Sequence, residues 1–361
     1  MNEKWMEVKA YFFGSEAQKE YTYFHFIIPY FKNIVGNYFA DRGWNGGPHY
    51  RVVIPEKFAY MLAPLQQQFQ DFVTSHFGQL SKEEIKANLQ KYEKQNSTIS
   101  QMESVQYEHI DVQQHVKVNI APYSETYLHQ TFNSYHHFLV HHHCLFQMQT
   151  FISSNGERFI QIDDDTKLRY LIRMMYDVLT FSAFSPKYAV LVYVSNIEGV
   201  MALAEKYGKK ELFEKSYQSL YEKVDVDAVF EDSQYEREIG AAWNEVIGSN
   251  FAYIKEQASH LFTDEPGYYT SDKQKQTLID NMEGIPSEFH HYLLSNELDQ
   301  TIQHEEHIIY RVLMNIVYRG IYMLQFSFSE KNFACYAVCQ YMMDKHNTSW
   351  KEILQERRGV L

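Results

Sequence analysis

The sequence has little cysteine, glycine or proline. Its three cysteines, Cys144, Cys335 and Cys339, make no disulfide framework, and no CxxC occurs. Cys335 and Cys339 stand four apart, share one face of an expected helix, and read as buried small hydrophobes. Fifteen Gly and eight Pro in 361 residues argue against a turn-rich all-β protein and for long helices. Positive charge is in deficit: 33 Lys and Arg against 46 Asp and Glu leave a formal charge of -13. A general electrostatic grip on nucleic acid is thereby disfavoured, although a local basic groove stays open. No uninterrupted apolar run of ~18 residues is present, so no membrane partner is expected. The opening MNEKWMEVKAYFF has no basic region followed by an apolar one, so no signal peptide is visible, and a cytoplasmic location is expected. Missing too are GxGxxG, GxxxxGK[ST], GxSxG and the kinase motifs. Catalysis, if any, then falls to side chains alone, with no cofactor.

What the sequence does have is aromatic side chains: 29 Tyr, 25 Phe and 4 Trp, or 16%, which excludes a disordered chain. Residues 5–13 alternate, with Met6, Val8, Ala10 and Phe12 on one side and Glu7, Lys9 and Tyr11 on the other, the pattern of a half-buried strand. A helical period follows through Phe24, Ile27, Ile28, Phe31, Ile34, Val35 and Tyr38. Residues 41–48 hold the densest glycine cluster and are expected to loop. A second strand runs from His49 to Ile54. Residues 56–80 read as helix, broken or kinked at Pro64, and Ser81 to Glu84 has the form of a capping box. Residues 94–105 are polar and aperiodic and are expected to form a mobile loop. A third strand is expected over 115–121, a helix or extended segment from Ser124 to about Phe151, and a short strand over 159–162. Asp163, Asp164 and Asp165 suit a helix N-terminus. From Thr166 the chain reads as nearly all helix, with a further capping-box form at Ser271. The expected architecture is α+β: a small mixed sheet within about 1–165 and a helical part over about 166–361. No clean linker divides them, so the whole chain is expected to be one domain.

Three constellations could carry chemistry. The run His136, His137, His141, His142, His143 places His137 and His141 on one helical face, but no third ligand can be named and the Glu of HExxH is missing. His304 and His307 sit at i, i+3, again without a completing pattern. No metal is expected at either place. The best candidate is Gly46-Gly47-Pro48-His49-Tyr50-Arg51, which joins a flexible turn to a strand. His49 and Arg51 then point the same way. An Arg fork suits a carboxylate or a peptide carbonyl, and equally a structural carboxylate.

At this strand the chain resembles a family. Trp5, the strand to Phe13, Pro29 within the first helix, Tyr38-Phe39-Ala40-Asp41-Arg42 and Gly47-Pro48-His49-Tyr50-Arg51-Val52-Val53 match, in order and spacing, the opening of the C-terminal elimination domain of LanB-type lantibiotic dehydratases. That domain also occurs as stand-alone proteins of thiopeptide biosynthesis. The match covers about the first 55 residues. Members that eliminate glutamate from glutamylated Ser or Thr carry His-x-Arg-x-Arg on the strand, and here Val53 replaces the second Arg. They also carry a His-containing segment ending in Asn-Arg. The nearest segment here is Met314 to Arg319, which has no His, and the family's Arg-Tyr-Gly-Gly segment has no counterpart. Elimination needs cations for the carboxylate and a group that moves a proton.

The resemblance therefore implies the pyridine-synthase branch of this elimination-domain-like fold. Such enzymes perform a formal aza-[4+2] cycloaddition between two dehydroalanines of a modified precursor peptide, with loss of water and of the leader peptide. That chemistry needs no metal or redox cofactor; it needs two distant parts of one peptide held together. The implied catalytic residues are His49, Arg51 and Tyr318, and the implied substrate-binding residues are Arg42, Arg51 and Arg319. The implied partners are the precursor peptide with its leader and other enzymes of the same pathway. Two alternatives stay open: a stand-alone glutamate-elimination lyase, and a non-catalytic protein that binds a leader peptide or partner enzyme.

Overall fold

The computed structural model describes residues 3–43, 45–102, 108–270, 272–273, 276, 279–280, 287–296 and 305–358. The chain divides into two compact units, each assembled from separate stretches. The first comprises Met1–Glu125, Leu145–Gln161 and Arg319–Gln325, and the second the remainder.

The first unit is built on a four-stranded sheet of order β2-β3-β1-β4, where β1 is Trp5–Tyr11, β2 Phe39–Gly43, β3 His49–Pro55 and β4 Val118–Pro122. Every pairing is antiparallel, which corrects the expected mixed sheet. The short connection between β2 and β3 reverses the chain, whereas the longer, helix-containing connections from β1 to β2 and from β3 to β4 each skip a neighbour and join strands that run the same way. β2 itself is a strand the sequence reading missed, because its Asp41, Arg42 and Gly43 carry loop-like composition. The turn after it uses Gly46 and Gly47 at φ 79 and 114, conformations that L side chains rarely adopt.

The register places Val8, Ala10, Tyr50, Val52, Ile54 and Ala40 on one sheet face, where they are buried. The first helix, Glu16–Ile34, covers them: Tyr23 donates its hydroxyl to Ala40 O at 2.7 Å, and Tyr50 to Lys19 O at 2.8 Å. Pro29 is tolerated because a π-helical turn, Tyr23–Ile27, precedes it and absorbs the missing donor. The helix stops at Ile34, so Tyr38 lies beyond it and not on its stripe. Pro64 breaks the next segment into a 3₁₀ turn, Glu56–Leu62, and the helix Leu65–Phe77, as expected. The helix Lys82–Met102 opens on the reciprocal Ser81–Glu84 bonds. Its backbone carries the helix through 94–102, where a loop was expected; 103–105 lie outside the described residues. Its Ile85 and Leu89 pack on Tyr11, Phe13 and Ile110.

Ser134 caps the helix Tyr135–Gln161, which absorbs residues 159–161 of the expected short strand, with Ile162 as its C-cap. An apolar run of that length reads equally as buried helix, and the helical period already set from Tyr135 prevails. Gly156 lets this helix approach closely: a Cβ there would meet the Phe24 ring at 2.2 Å.

The second unit is helical. Asp163 caps Asp164–Val178 as expected. That helix and Leu191–Lys206 both pack on Phe328–His346. Two of its large buried aromatics pair their polar atoms internally: Trp243 Nε1 donates to Met174 O at 3.0 Å and Tyr235 OH to Asp177 Oδ2 at 2.9 Å. A hydrogen-bonded chain joins Ser195, His290 and Ser287, with 3.0 Å from Ser195 Oγ to His290 Nε2 and 2.8 Å from Ser287 Oγ to His290 Nδ1. Cys144, Cys335 and Cys339 are free and buried. Among the described residues one stretch, Pro186–Lys206, is long and apolar enough to cross a membrane, and 56% of it is buried inside the protein. Its apolarity is that of a core helix. The expected capping box at Ser271 lies outside the described residues.

Candidate functional site

Cross-strand pairing sets Asp41 opposite Arg51 and Gly43 opposite His49. His49 and Arg51 therefore share a sheet face, as their spacing requires. On the other side of β3 they face Tyr11 and Lys9 of β1. The centre of this face is Asp41, a residue the sequence reading did not single out. Its carboxylate is 1% exposed. It accepts Arg51 Nε at 3.2 Å and Nη2 at 3.4 Å, and Arg319 Nη2 at 2.5 Å. Arg51 also reaches Glu7 at 3.7 Å and stacks 5.9 Å over the Phe39 ring. A buried carboxylate needs such partners, and here one carboxylate holds two guanidinium groups.

Arg42, the next residue on β2, points to the opposite face. Its Nε donates to Gln325 Oε1 and its Nη1 lies 3.3 Å from Glu16 Oε2. Burial works to raise the Glu16 carboxyl, but Lys19 and Arg42 hold it below its ordinary value. Gln325 follows the end of the helix Glu305–Met323 in the left-handed conformation, φ 72. A left-handed residue commonly ends a helix, though Gly or Asn usually serves. The stretch 319–325 thus straddles β2: Arg319 grips Asp41 from one face and Gln325 holds Arg42 on the other. Gln149 completes the cover by accepting the Ala40 N–H at 2.8 Å.

His49 is 6% exposed. Its Nδ1 faces the Gly47 carbonyl at 2.8 Å; a carbonyl only accepts, so Nδ1 carries the proton and Nε2 is the lone-pair nitrogen. Burial pushes the imidazole down to about 4, so the ring is neutral near pH 7. The ring lies flat over Gly43, where a Cβ would fall 1.8 Å from Nε2. Arg51 has 15% of its side chain exposed, against 30% for both Arg42 and Arg319. The two more open cations are therefore Arg42 and Arg319, while Arg51 is committed to Asp41 and Glu7.

Tyr318 precedes Arg319 in sequence but belongs to the other unit. Lys331 Nζ sits 4.6 Å from its ring centroid, and its hydroxyl lies beside the Cys335 thiol. Burial pushes the phenol well above its ordinary value, so it stays protonated. The structure thus brings four of the five expected site residues into the first unit, around β2 and β3, and assigns Tyr318, half-buried with its hydroxyl shielded, to the second. Asp41, Glu7, Gln149 and Gln325 complete the cluster. No local pattern marks them, because Glu7, Gln149 and Gln325 reach β2 and β3 from distant segments of the chain.

Among the described residues no group of three or more His, Cys, Asp or Glu is placed to hold a metal ion. Within the His136–His143 run, His137, His141 and His142 gather around the Phe132 ring, with His137 and His141 each 5.2 Å from it. His142 Nδ1 donates to Phe138 O at 3.0 Å, the His143 ring packs 4.1 Å from Tyr253, and His136 lies 5.6 Å from the His260 ring. His304 lies outside the described residues.

No protein-family model matches the chain, and no curated protein matches it. Solved structures do. TsrL is similar at a TM-score of 0.57 and 11% identity over 98% of each chain. TbtD, the pyridine synthase from thiomuracin biosynthesis, is similar at a TM-score of 0.53 and 13% identity, over 95% of this chain and 98% of that one. At these identities the likeness is one of fold: the chain shares the α+β fold of these two proteins from end to end.

Proposed function

We propose that the chain is a thiopeptide-biosynthesis enzyme of pyridine-synthase type. It joins two dehydroalanines of a modified peptide in a formal aza-[4+2] cycloaddition, then loses water and the leader peptide. The observation that carries this reading is the fold shared with TbtD over 95% of this chain and 98% of that one. A local feature agrees with it. Val53, which stands where the eliminating members of the resembling family place a second strand Arg, is fully buried and pairs with Phe39 and Glu7. Strand β3 therefore offers one cation, not two, and a glutamate leaving group has less to hold it.

In this reading Arg319 and Arg42 donate to peptide carbonyls of the substrate. Asp41 fixes the first of them and Gln325 the second. Arg51 and His49 are positioning groups: one neutralises Asp41, the other fixes the turn through Gly47. The rate gain comes chiefly from holding two distant parts of one peptide in contact, which replaces chain entropy with binding.

The test is to incubate the protein with a peptide carrying two dehydroalanines behind a leader and to follow product masses. Loss of water together with release of the leader supports the reading. Binding without conversion returns the chain to a leader-binding role, and conversion only of a glutamylated Ser or Thr peptide makes it an elimination lyase. Arg319→Met keeps much of the stem volume and removes the charge. A single-turnover rate reduced at least tenfold at a temperature where the variant is folded supports Arg319 at the substrate; an unchanged rate removes it from the site.

A further inference from the structure

The two free edges of the sheet are treated differently. At β2, Gln149 on the buried helix Tyr135–Gln161 takes the Ala40 N–H, and Gln149 is itself buried. At β4, a second glutamine plays the corresponding part on an exposed edge. Gln66 Oε1 accepts the Val118 N–H at 2.8 Å, and its Nε2 donates to Val116 O at 2.9 Å. One carboxamide thereby matches a donor and an acceptor of β4 as the backbone of a neighbouring strand would.

The phase of the ladder says what lies beyond that rung. Tyr123 N donates to Trp5 O at 2.8 Å, and Tyr11 exchanges bonds with Val116 and Lys117 at the other end. With the register Lys9 to Asn119 and Glu7 to Ala121, the polar groups of Asn119 and Ala121 face β1. Those of Val118, Ile120 and Pro122 then point outward. The outward set past Gln66 is the Val118 carbonyl, both groups of Ile120, and the Pro122 carbonyl. The side chains of 119–122 are exposed, Ile120 at 43%.

Both ends of this window are closed. Val116 takes φ 57, an outlier for a β-branched residue, and makes a bulge in which Val116 and Lys117 together oppose Tyr11. Pro122 supplies no donor. Bulges and prolines are how edge strands limit open-ended pairing. Among the described residues, what remains is a window of about three rungs, long enough for a short extended segment and too short to seed a growing sheet.

We propose that the open edge of β4 receives an extended segment of the peptide substrate by strand addition. This rests on the peptide-modifying reading above and deepens it. The ladder recognises backbone, and the flanking side chains set the preference. An apolar residue faces Ile120, and an acidic one falls near the exposed Lys117. A docked strand would hold one part of a long peptide and leave the rest free to reach elsewhere.

The probe is a phage-displayed library of random 12-residue peptides, panned on the full-length protein. Enriched peptides are expected to slow exchange of the outward Ile120 amide at least tenfold while leaving β1 unchanged. Ile120→Pro removes one outward donor and spares the ladder to β1; it should weaken binding at least tenfold. Should that variant misfold, N-methylation of alternate peptide nitrogens serves instead: one phase abolishes binding and the other does not. No enrichment, protection elsewhere, equal binding by Ile120→Pro in a folded state, or indifference to both methylation phases overturns the proposal. So does a chain that doubles in mass in solution and becomes monomeric on Ile120→Pro, because a second copy then owns the edge. The outcome is separable from that of the dehydroalanine assay. Conversion unaffected by Ile120→Pro, with no peptide on the edge, discards the docking site and keeps the enzyme; a docked peptide without conversion does the reverse.

Discussion

Replacing Asp41 with Asn keeps the shape of the side chain and removes the one charge on which two guanidinium groups converge. Asp41 is 1% exposed, Arg51 15% and Arg319 30%. Removing one partner of a fully buried pair costs about 3–5 kcal/mol, whereas an exposed pair contributes about 0–1 kcal/mol. Here the anion is buried and the cations are partly wet, and Arg51 keeps Glu7 at 3.7 Å. The expected loss is therefore about 2–4 kcal/mol. If the sheet-bearing unit unfolds with a cooperativity typical of 150–250 residues, that lowers Tm by roughly 4–16 °C. Thermal unfolding followed by circular dichroism measures it. The geometry makes a second demand, because Arg319 and Asp41 are in contact: Asp41→Asn and Arg319→Met must couple, with a double variant about 1 kcal/mol or more better than the sum of the singles. A single Asp41→Asn shift below about 2 °C, or strict additivity, would refute the view that Asp41 is the anchor of this face.

Two further outcomes follow from the same region and from the buried histidines. Gly43→Ala places a Cβ 1.8 Å from His49 Nε2 and forces a hydrogen-bonded, buried ring to move, at about 2–4 kcal/mol; adding His49→Ala should recover part of the loss, and a Gly43→Ala protein as stable as the parent would show that the ring does not lie there. Burial pushes His49, His137 and His290 down to about 4 from an ordinary 6.5, so between those values the unfolded chain binds protons that the folded chain does not. Stability is then full above pH 6.5 and falls toward pH 4, by at most about 3 kcal/mol per histidine. Tm measured from pH 7 to 4 should drop less steeply for His290→Gln than for the parent, and identical slopes would contradict the assignment.

The elements with unmistakable periods were legible. The alternation of 5–13, the break at Pro64 and the caps at Ser81 and Asp163 are local physics, and they stand. What local reading missed has a non-local cause. β2 is a strand because β3 pairs with it and 319–325 closes over it, so Asp41 and Gly43 read as loop residues until their partners are known. The polar stretch 94–102 looks aperiodic, yet the helix begun at Lys82 continues through its backbone. His49 and Arg51 were chosen for sharing a strand face, and they do. That the ring is buried over a glycine, and the guanidinium already engaged, depends on residues brought together by tertiary structure. Tyr318 and Arg319 are neighbours in sequence whose environments differ, since successive helical residues point about 100° apart.

The stretch 319–325 also sets a timetable. The sheet-bearing unit draws its pieces from residues 1–125, 145–161 and 319–325, so during synthesis its first 161 residues leave the ribosome without Arg319 or Gln325. At the usual elongation rates the missing strap arrives roughly 10–30 s later. Through that interval Asp41 has Arg51 alone, Arg42 has no Gln325 to hold, and one side of β2 stands uncovered. A chain cut short before residue 319 never closes that edge, however well its remaining helices pack. Long-range closure of this kind is slow to form, which makes the arrival of seven late residues the event that completes the oldest part of the chain.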